Sequence, residues 1–321
     1  MIAIISVIIP AYNSASRIKF SLESVIAQNY EDIEIILVDD ASHDDTADIA
    51  REILSTSGRK FTVITHTENL GVSCARNTGL ASSHGEYVSF IDGDDVISRN
   101  FLSRLHDAIT EHNAQISFCG LKFTDGDISV SESDGASCKF TGEELIFSRT
   151  ISPVCCLYDR NFLMSNNISF FSGCTSGEDV EFQIKALCCA ERVAFVNECM
   201  YFYVQHDNMG SVRDNNTREK KIMRYEHNTL AQIRTADFLE HNAKTERVRL
   251  MNRNILQPQN IIREFNLQAM KGESYHSMPD GKRKILWRAV SLYTFTRNPE
   301  IFFKAFMIMH FPKIYYRMRA E

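Results

Sequence analysis

Long apolar runs are missing from this sequence: no stretch of about 18 or more apolar residues occurs, so no membrane-spanning helix is expected. The longest candidate, 301–311, is interrupted by Lys304 and His310. Metal-type cysteine spacing is missing too. The nine cysteines (Cys74, Cys119, Cys138, Cys155, Cys156, Cys174, Cys188, Cys189 and Cys199) include no Cys-x-x-Cys pair and no His-x-x-x-His partner, which excludes the usual structural zinc patterns. Their odd number and apolar surroundings point to reduced, buried thiols of a cytoplasmic protein. Glycine (14) and proline (6) are sparse beside 44% hydrophobic and 24% charged residues, which excludes collagen-like and disordered chains. No Gly-x-Gly-x-x-Gly follows the first apolar run, so a nicotinamide-dependent oxidoreductase is disfavoured. Nor does a basic, Gly-rich triphosphate loop occur between Pro10 and Lys19, as a sugar nucleotidyltransferase would need. The N-terminal run Met1–Pro10 lacks a basic leader and a small-residue cleavage site, and reads as a buried strand rather than a signal peptide.

What is present is an ordinary globular composition over 321 residues, enough for about two domains. The net charge of −6 argues against nucleic acid as a partner, because phosphate contacts need a basic face. That average hides two opposed parts. Residues 282–321 carry nine Lys/Arg against two Glu, a net +7, which leaves −13 for the other residues.

Along the first half, strand and helix patterns alternate. Ile4–Ile9, Glu34–Val38, Phe61–Thr65, Tyr87–Ile91 and Gln115–Cys119 read as strands. Between them, helices are expected after Ser14 or Ser16, over 46–54, over Ser73–Ser83 and from Ser98 to about His112. Fully apolar strands joined by helices imply a parallel sheet covered on both faces, an α/β fold. Residues 122–137 are polar and fit a surface excursion. Pro153–Tyr158, Val193–Val196 and Tyr201–Gln205 read as further strands, with a helix from Glu178 to about Ala190. Beyond Val212 the pattern turns helical, so the domains are expected at 1–212 (halves 1–120 and 121–212) and 213–321.

Ligands of such sheets bind at the carboxyl ends of the strands. Here those ends read Pro10-Ala-Tyr12-Asn13, Asp39-Asp40 and Asp92-Gly93-Asp94-Asp95. Clustered carboxylates repel one another, and a hard cation such as Mg²⁺ or Mn²⁺, shared with substrate phosphates, offsets that repulsion. A single Asp-x-Asp turn is equally a solvated loop. The ordered set is more specific: Ser6-Val-Ile-Ile-Pro-Ala-Tyr-Asn13, Val38-Asp-Asp-Ala-Ser42, Asn69–Gly79 (with Cys-Ala-Arg-Asn77) and Phe90-Ile-Asp-Gly-Asp-Asp95. It closely resembles the nucleotide-sugar-binding half of family-2 glycosyltransferases of the GT-A fold over residues 4–120. The likeness continues to about 212 through Gly177-Glu-Asp-Val-Glu-Phe182 and Tyr201-Phe-Tyr-Val-Gln-His206.

That resemblance implies roles. Pro10, Tyr12, Asn13 and Asp40 would line the pocket for the base of a UDP-sugar, with Asp39 supporting the turn. Arg76 and Asn77 would contact base or ribose, Asp92 with Gly93 would sit by the ribose, and Asp94 would be the metal ligand, with Asp95 able to substitute. Asp179, beside Glu178, would be the base of an inverting transfer. His206 would reach metal or diphosphate, or else be an ordinary surface histidine, and Arg213 would contact diphosphate. The implied cofactor is Mn²⁺ or Mg²⁺. The implied acceptor is a glycan or polyprenyl-linked hydroxyl in bacterial capsule, O-antigen or exopolysaccharide assembly.

A processive synthase would carry membrane helices and Gln-x-x-Arg-Trp, yet Trp287 follows Leu286, so one sugar per binding event is expected. The basic tail also holds nine aromatic residues, among them Phe302, Phe303, Phe306, Tyr315 and Tyr316. Such interleaving suits peripheral contact with an anionic cytoplasmic membrane face, or packing against the protein or a second subunit. A sugar nucleotidyltransferase and a non-catalytic nucleotide-sugar-binding scaffold are the alternative functions.

Overall fold

The computed structural model describes residues 3–124, 137–146, 151–205, 217–271, 279–292, 299–310 and 315. Contacts group the chain into two compact units: Met1–Cys174 with Glu178–Met209, and Thr175–Gly177 with Gly210–Glu321.

Among the described residues, the first unit is built on one mixed sheet of nine strands: β1 (Ile5–Ala11), β2 (Ile33–Asp39), β3 (Lys60–Thr65), β4 (Tyr87–Phe90), β5 (Val96–Ile97), β6 (Ile116–Thr124), β7 (Ser137–Phe140), β8 (Cys156–Asp159) and β9 (Val193–Val204). Their order is β3-β2-β1-β4-β8-β6-β9-β5, with β7 also pairing β9. Helices α1 (Ile18–Ile26), α2 (Thr46–Ser55), α3 (Val72–Ser82), α4 (Phe101–Glu111), α5 (Gly142–Leu145), α6 (Arg160–Ser165) and α7 (Glu178–Cys189) connect them.

The β1 sequence explains its central place. All seven residues are buried, without the polar alternation of a one-sided strand, because helices cover both faces. Ile5, Val7 and Ile9 join Leu22 and Val25 of α1 and Leu102 and Leu105 of α4 in one core. Ile8 points the other way, and its Cγ2 would lie 2.3 Å from a Cβ placed on Gly79 of α3. Only glycine there lets α3 lie so close to β1. Each of these fully buried aliphatic side chains contributes roughly 1.5–3 kcal/mol relative to exposure.

The sheet is mixed: β8 runs antiparallel to both β4 and β6, and β5 and β7 run antiparallel to β9. A strand that returns from a distant part of the chain is free to enter in either direction, and four residues of apolar sequence carry no sign of it. The stretches at 193–196 and 201–205 form one strand, β9, whose register on β6 shifts around Gly120. Gly120 is required there: a Cβ on it would lie 2.8 Å from Cys199 Sγ and 3.1 Å from the Glu198 carbonyl oxygen. β6 runs on to Thr124, and Ser137–Phe140 forms β7, so the polar excursion narrows to residues outside those described.

Helix starts also differ. α1 has Arg17 at its N-cap without a side-chain bond, while Ser14 contributes its carbonyl to the Arg17 and Ile18 amides. α4 begins after Asn100 rather than at Ser98. Thr141-Gly-Glu-Glu144 forms a full capping box on α5. All nine cysteines are free, but Cys138 and Cys199 are exposed, so they are not uniformly core residues.

The second unit is helical: α8 (Arg218–Asn242), α9 (Glu246–Met251), a π turn (Asn252–Leu256), α10 (Gln257–Lys271), α11 (Asp280–Leu292) and α12 (Pro299–His310). Thr217 and Thr245 cap α8 and α9 by accepting from the Lys220 and Val248 amides. Its core joins Ile261, Ile262 and Phe265 of α10 to Leu286, Ala305, Ile308 and Tyr315. Part of the aromatic tail therefore packs internally, whereas Phe303 is exposed. Among the described residues, no helix is long and apolar enough to cross a membrane.

Candidate functional site

The parallel strands β2, β1 and β4 end at the same edge of the sheet. Register pairs Ala11 with Asp39 and Ile8 with Phe90, and the ladder continues through Asp40 N to Ala11 O (2.8 Å) and Ile91 N to Ile8 O (3.0 Å). Tyr12-Asn13, Asp40 and Asp92–Asp95 are thereby gathered at one edge.

At the β1 end, Pro10 is buried and Tyr12 is exposed, edge-on to His43 at 6.4 Å. Asn13, at φ 48°, locks the two adjoining loops: its amide donates to Ser42 Oγ (2.9 Å), and its Oδ1 accepts from the His43 amide (2.9 Å). Asn tolerates this left-handed conformation better than most residues.

The two carboxylates after β2 have different surroundings. Asp40, implied to meet the base, is buried, and three donors already engage it: His66 Nδ1 (2.7 Å), the Leu70 amide (3.0 Å) and the Gly71 amide (2.7 Å). It organises the turn into α3, with Gly71 at φ 89°. The other ring nitrogen of His66, Nε2, lies 3.0 Å from Thr78 Oγ1. Asp39 supports its own turn, accepting weakly from the Ser42 amide (3.3 Å) on Oδ2, while its buried Oδ1 has no hydrogen-bond partner.

Gly93 serves close approach rather than a special bend. A Cβ there would lie 3.1 Å from the Pro10 carbonyl oxygen and 3.2 Å from Ile18 Cδ1, so glycine lets the Asp92–Asp95 turn lie against the end of β1. The backbone of Asp92 is fixed at both ends. Its amide donates to Tyr201 Oη (3.3 Å) and its carbonyl accepts from Ser21 Oγ (3.2 Å). Asp94 is half-buried at this turn. Asp95 is turned inward, 1% exposed, with Oδ2 accepting from Tyr201 Oη (2.7 Å) and Oδ1 from the Val204 amide (3.0 Å). Burial first, and then the Asp92 charge, push its carboxyl up to about 8. The substitution of Asp95 for Asp94 as a metal ligand thus meets a carboxyl already built into the sheet.

Arg76 and Asn77 sit on α3, and neither carries the arrangement implied for a nucleotide contact. Arg76 is 3% exposed and bridges two carboxylates: Nη2 donates to Asp92 Oδ1 (2.8 Å) and Nη1 to Asp179 Oδ1 (2.7 Å). Its guanidinium lies 5.0 Å from the Phe170 ring centroid, and Phe170 stacks on Phe182 at 4.0 Å. Burial alone would lower its pKa, but Asp92 and Asp179 reverse the effect and hold it above the ordinary value. Asn77 makes reciprocal bonds with the Phe170 backbone, Nδ2 to O at 2.7 Å and N to Oδ1 at 3.0 Å.

Glu178 and Asp179 open α7, where the helix N-terminus favours negative charge. Glu178 is buried, its Oε2 has no partner, and burial followed by the Asp179 charge raises its pKa. Asp179 is more open, its side chain 43% exposed. Asp92, Arg76 and Asp179 are therefore contiguous, with Asp94 two residues from Asp92. His206 and Arg213 lie outside the described residues. Sequence reasoning missed Tyr201, which holds both ends of the acidic turn, and Phe170; an aromatic-rich strand at 201–203 was the only sign of the first.

Among the described residues, no three His, Cys, Asp or Glu side chains are grouped to hold a metal by themselves. Asp92 and Asp94 are the half-buried carboxylates at the turn, and Asp95 is the buried one. A divalent cation fits such a site when substrate phosphates complete its shell, the usual arrangement for Mg²⁺.

Known proteins share this architecture. A solved structure of Staphylococcus aureus TarS 1–349 in complex with UDP-GlcNAc superposes with TM-score 0.70 at 22% identity, covering 99% of this chain and 89% of that one. The mannosyltransferase PcManGT of Pyrobaculum calidifontis, solved with GDP-Man and Mn²⁺, does so with TM-score 0.58 at 17% identity, covering 98% and 88%. At these identities the likeness is one of fold, the GT-A fold. In sequence, the chain is 32% identical over 218 residues to the uncharacterized glycosyltransferase EpsJ of Bacillus subtilis, 65% of this chain and 63% of that protein. It thus spans less than two thirds of that relative's length. Residues 6–177 match the family model described as glycosyl transferase family 2. With the three acidic and polar strand ends assembled at one edge and this match across more than half of the chain, the protein belongs to glycosyl transferase family 2.

Proposed function

We propose that this chain transfers one glycosyl residue, with inversion, from a UDP-sugar to a hydroxyl of a glycan or lipid-linked acceptor in bacterial surface polysaccharide assembly. The observation that carries the reading is the contiguity of Asp92, Arg76 and Asp179, which sets an open carboxylate beside the acidic turn at the strand ends. The family match, the UDP-GlcNAc in the TarS structure, and the GDP-Man and Mn²⁺ in the PcManGT structure support it.

In this reading Asp179 accepts the proton of the acceptor hydroxyl as that oxygen forms a bond to the anomeric carbon. The bond from that carbon to the diphosphate oxygen breaks on the opposite face, and its electron pair leaves with UDP. A divalent cation on Asp94 would supply Lewis-acid stabilisation of the departing diphosphate. Tyr12, exposed at the β1 end, would offer its ring to the base. The basic, aromatic region 282–321 is proposed to bring the protein to an anionic membrane surface carrying the acceptor, through exposed groups such as Phe303.

A panel of UDP-, GDP- and dTDP-sugars, assayed by calorimetry and nucleotide release with and without Mn²⁺, tests the reading. One UDP-sugar should bind and turn over. Asp94→Ala should lose the Mn²⁺-dependent part of binding, and Asp179→Asn should keep binding while transfer falls by about 10²-fold or more, the lower range for a lost general base. Full transfer by Asp179→Asn would remove the base assignment, and absence of any nucleotide-sugar binding would overturn the function.

A further inference from the structure

Arg76 is the most heavily committed charged side chain at this edge. Its charge is buried, two of its nitrogens bridge carboxylates from different parts of the sequence, and an aromatic ring packs against it. Asp92 belongs to the acidic turn after β4, whereas Asp179 opens α7, which follows β8 in the chain. The neighbouring Asn77 clasps the backbone of Phe170, the same residue whose ring carries the guanidinium. One turn of α3 thus ties both the segment leading toward α7 and Asp179, the second residue of that helix, to the edge where the acidic turn lies.

We propose that Arg76 is a positioning residue for Asp179, setting the direction of that carboxylate relative to the acidic turn, and does not itself touch the nucleotide. The inference rests on Asp179 being the base in the reading above. Geometry favours it over a nucleotide contact. Nη1 and Nη2 each donate to a carboxylate at 2.7 and 2.8 Å, Nε is buried without a partner, and the residue is 3% exposed, so little of the guanidinium is open to a ligand. The planar fork is also specific: an ammonium is a single point charge and cannot span two carboxylates in the same way. Asp179 is otherwise open to solvent on the first turn of α7, and a long-range bond to a buried, stacked guanidinium fixes its rotamer. Asp92 depends on Arg76 less, because Tyr201 and Ser21 hold its backbone independently.

The test uses the full chain, with UDP plus Mn²⁺ as the binding probe and UDP release from the UDP-sugar panel as the turnover readout, water serving as acceptor where no glycan is supplied. Arg76→Gln should lower turnover about 10²-fold, the scale of a misplaced catalytic group, while the Kd for UDP changes by less than about threefold. Arg76→Lys should fall between the two. In the Asp179→Asn background, Arg76→Gln should cause little further loss, because a residue acting through Asp179 has nothing left to position. Millimolar guanidinium should partly restore Arg76→Ala and leave Asp179→Asn unchanged.

Thermal midpoints and far-UV circular dichroism identify variants that fail to fold, for which Arg76→Lys carries the comparison. Unchanged turnover in Arg76→Gln, full additivity with Asp179→Asn, or a tenfold or greater loss of UDP affinity would each overturn the inference. Retained transfer in Asp179→Asn would instead remove the base reading beneath it.

Discussion

Replacing Asp95 by Asn removes a titration at nearly the same volume. The introduced amide keeps an oxygen to accept from the Val204 amide, while its Nδ2 takes the place of the oxygen that accepts from Tyr201 Oη, so that contact reverses direction. The native carboxyl rises from 3.8 to about 8 on folding, chiefly through burial and then the Asp92 charge. Between those values it is protonated in the folded chain and ionised in the unfolded one, so folding takes up a proton. Its contribution to stability is therefore complete below about pH 4, is lost as pH rises toward 8, and levels off above that. One group limits the slope to about 1.4 kcal/mol per pH unit. The stability of Asp95→Asn relative to the native chain should thus increase by roughly 2.7 kcal/mol from pH 5 to pH 7, the contributions of all other groups cancelling in the difference. Urea unfolding at pH 5, 6, 7 and 8, with EDTA present because Asp94 is adjacent, measures it. A difference that stays constant over this range would show that Asp95 does not titrate there, and the argument from its burial would fail.

Two further outcomes follow from other parts of the molecule. Gly79→Ala gains up to about 1 kcal/mol of helix propensity, but its methyl would lie 2.3 Å from the fully buried Ile8 Cγ2; overpacking of this kind costs about 1–3 kcal/mol. Net destabilisation is expected in urea melts, and Ile8→Ala should cost less in the Gly79→Ala background than in the native chain; equal costs would show that the two do not meet. The tail reading predicts co-sedimentation with phosphatidylglycerol vesicles at about 50 mM salt, loss of it at about 500 mM as the charges are screened, and weaker binding by Phe303→Ser. Equal recovery with neutral vesicles would oppose it.

Much of the sheet and the edge where the site lies could be read from residues. The β-branched runs in β1 and β2 are buried almost throughout, and such runs announce themselves locally. The acidic and polar strand ends follow from where those runs stop. What could not be read depends on distant partners. Asp94 and Asp95 are indistinguishable in sequence; Tyr201, 106 residues beyond Asp95, and the Val204 amide hold one of them inward. Asp39 and Asp40 separate for the same reason, because the loop through Leu70 and Gly71 captures Asp40 alone. Arg76 carries no sign of its two carboxylates, since Asp179 lies 103 residues away. The continuity of β9 through Asn197-Glu198-Cys199 was hidden because a polar triplet resembles a turn, yet the shift in register beside Gly120 lets the strand continue.

The place of β8 in the sheet bears on how the chain is made. β4 and β6 are separated in space by a strand that comes about thirty residues after β6. A ribosome that has synthesised only about the first 150 residues therefore presents two facing, unfilled strand edges, the kind of surface that invites pairing with another chain. The donor-side half carries nearly all of the polar strand ends, but it is not a separable module. Chimeras cut between β6 and β8 would divide a hydrogen-bonded sheet, whereas an exchange made beyond β9 would leave every strand with its own neighbours.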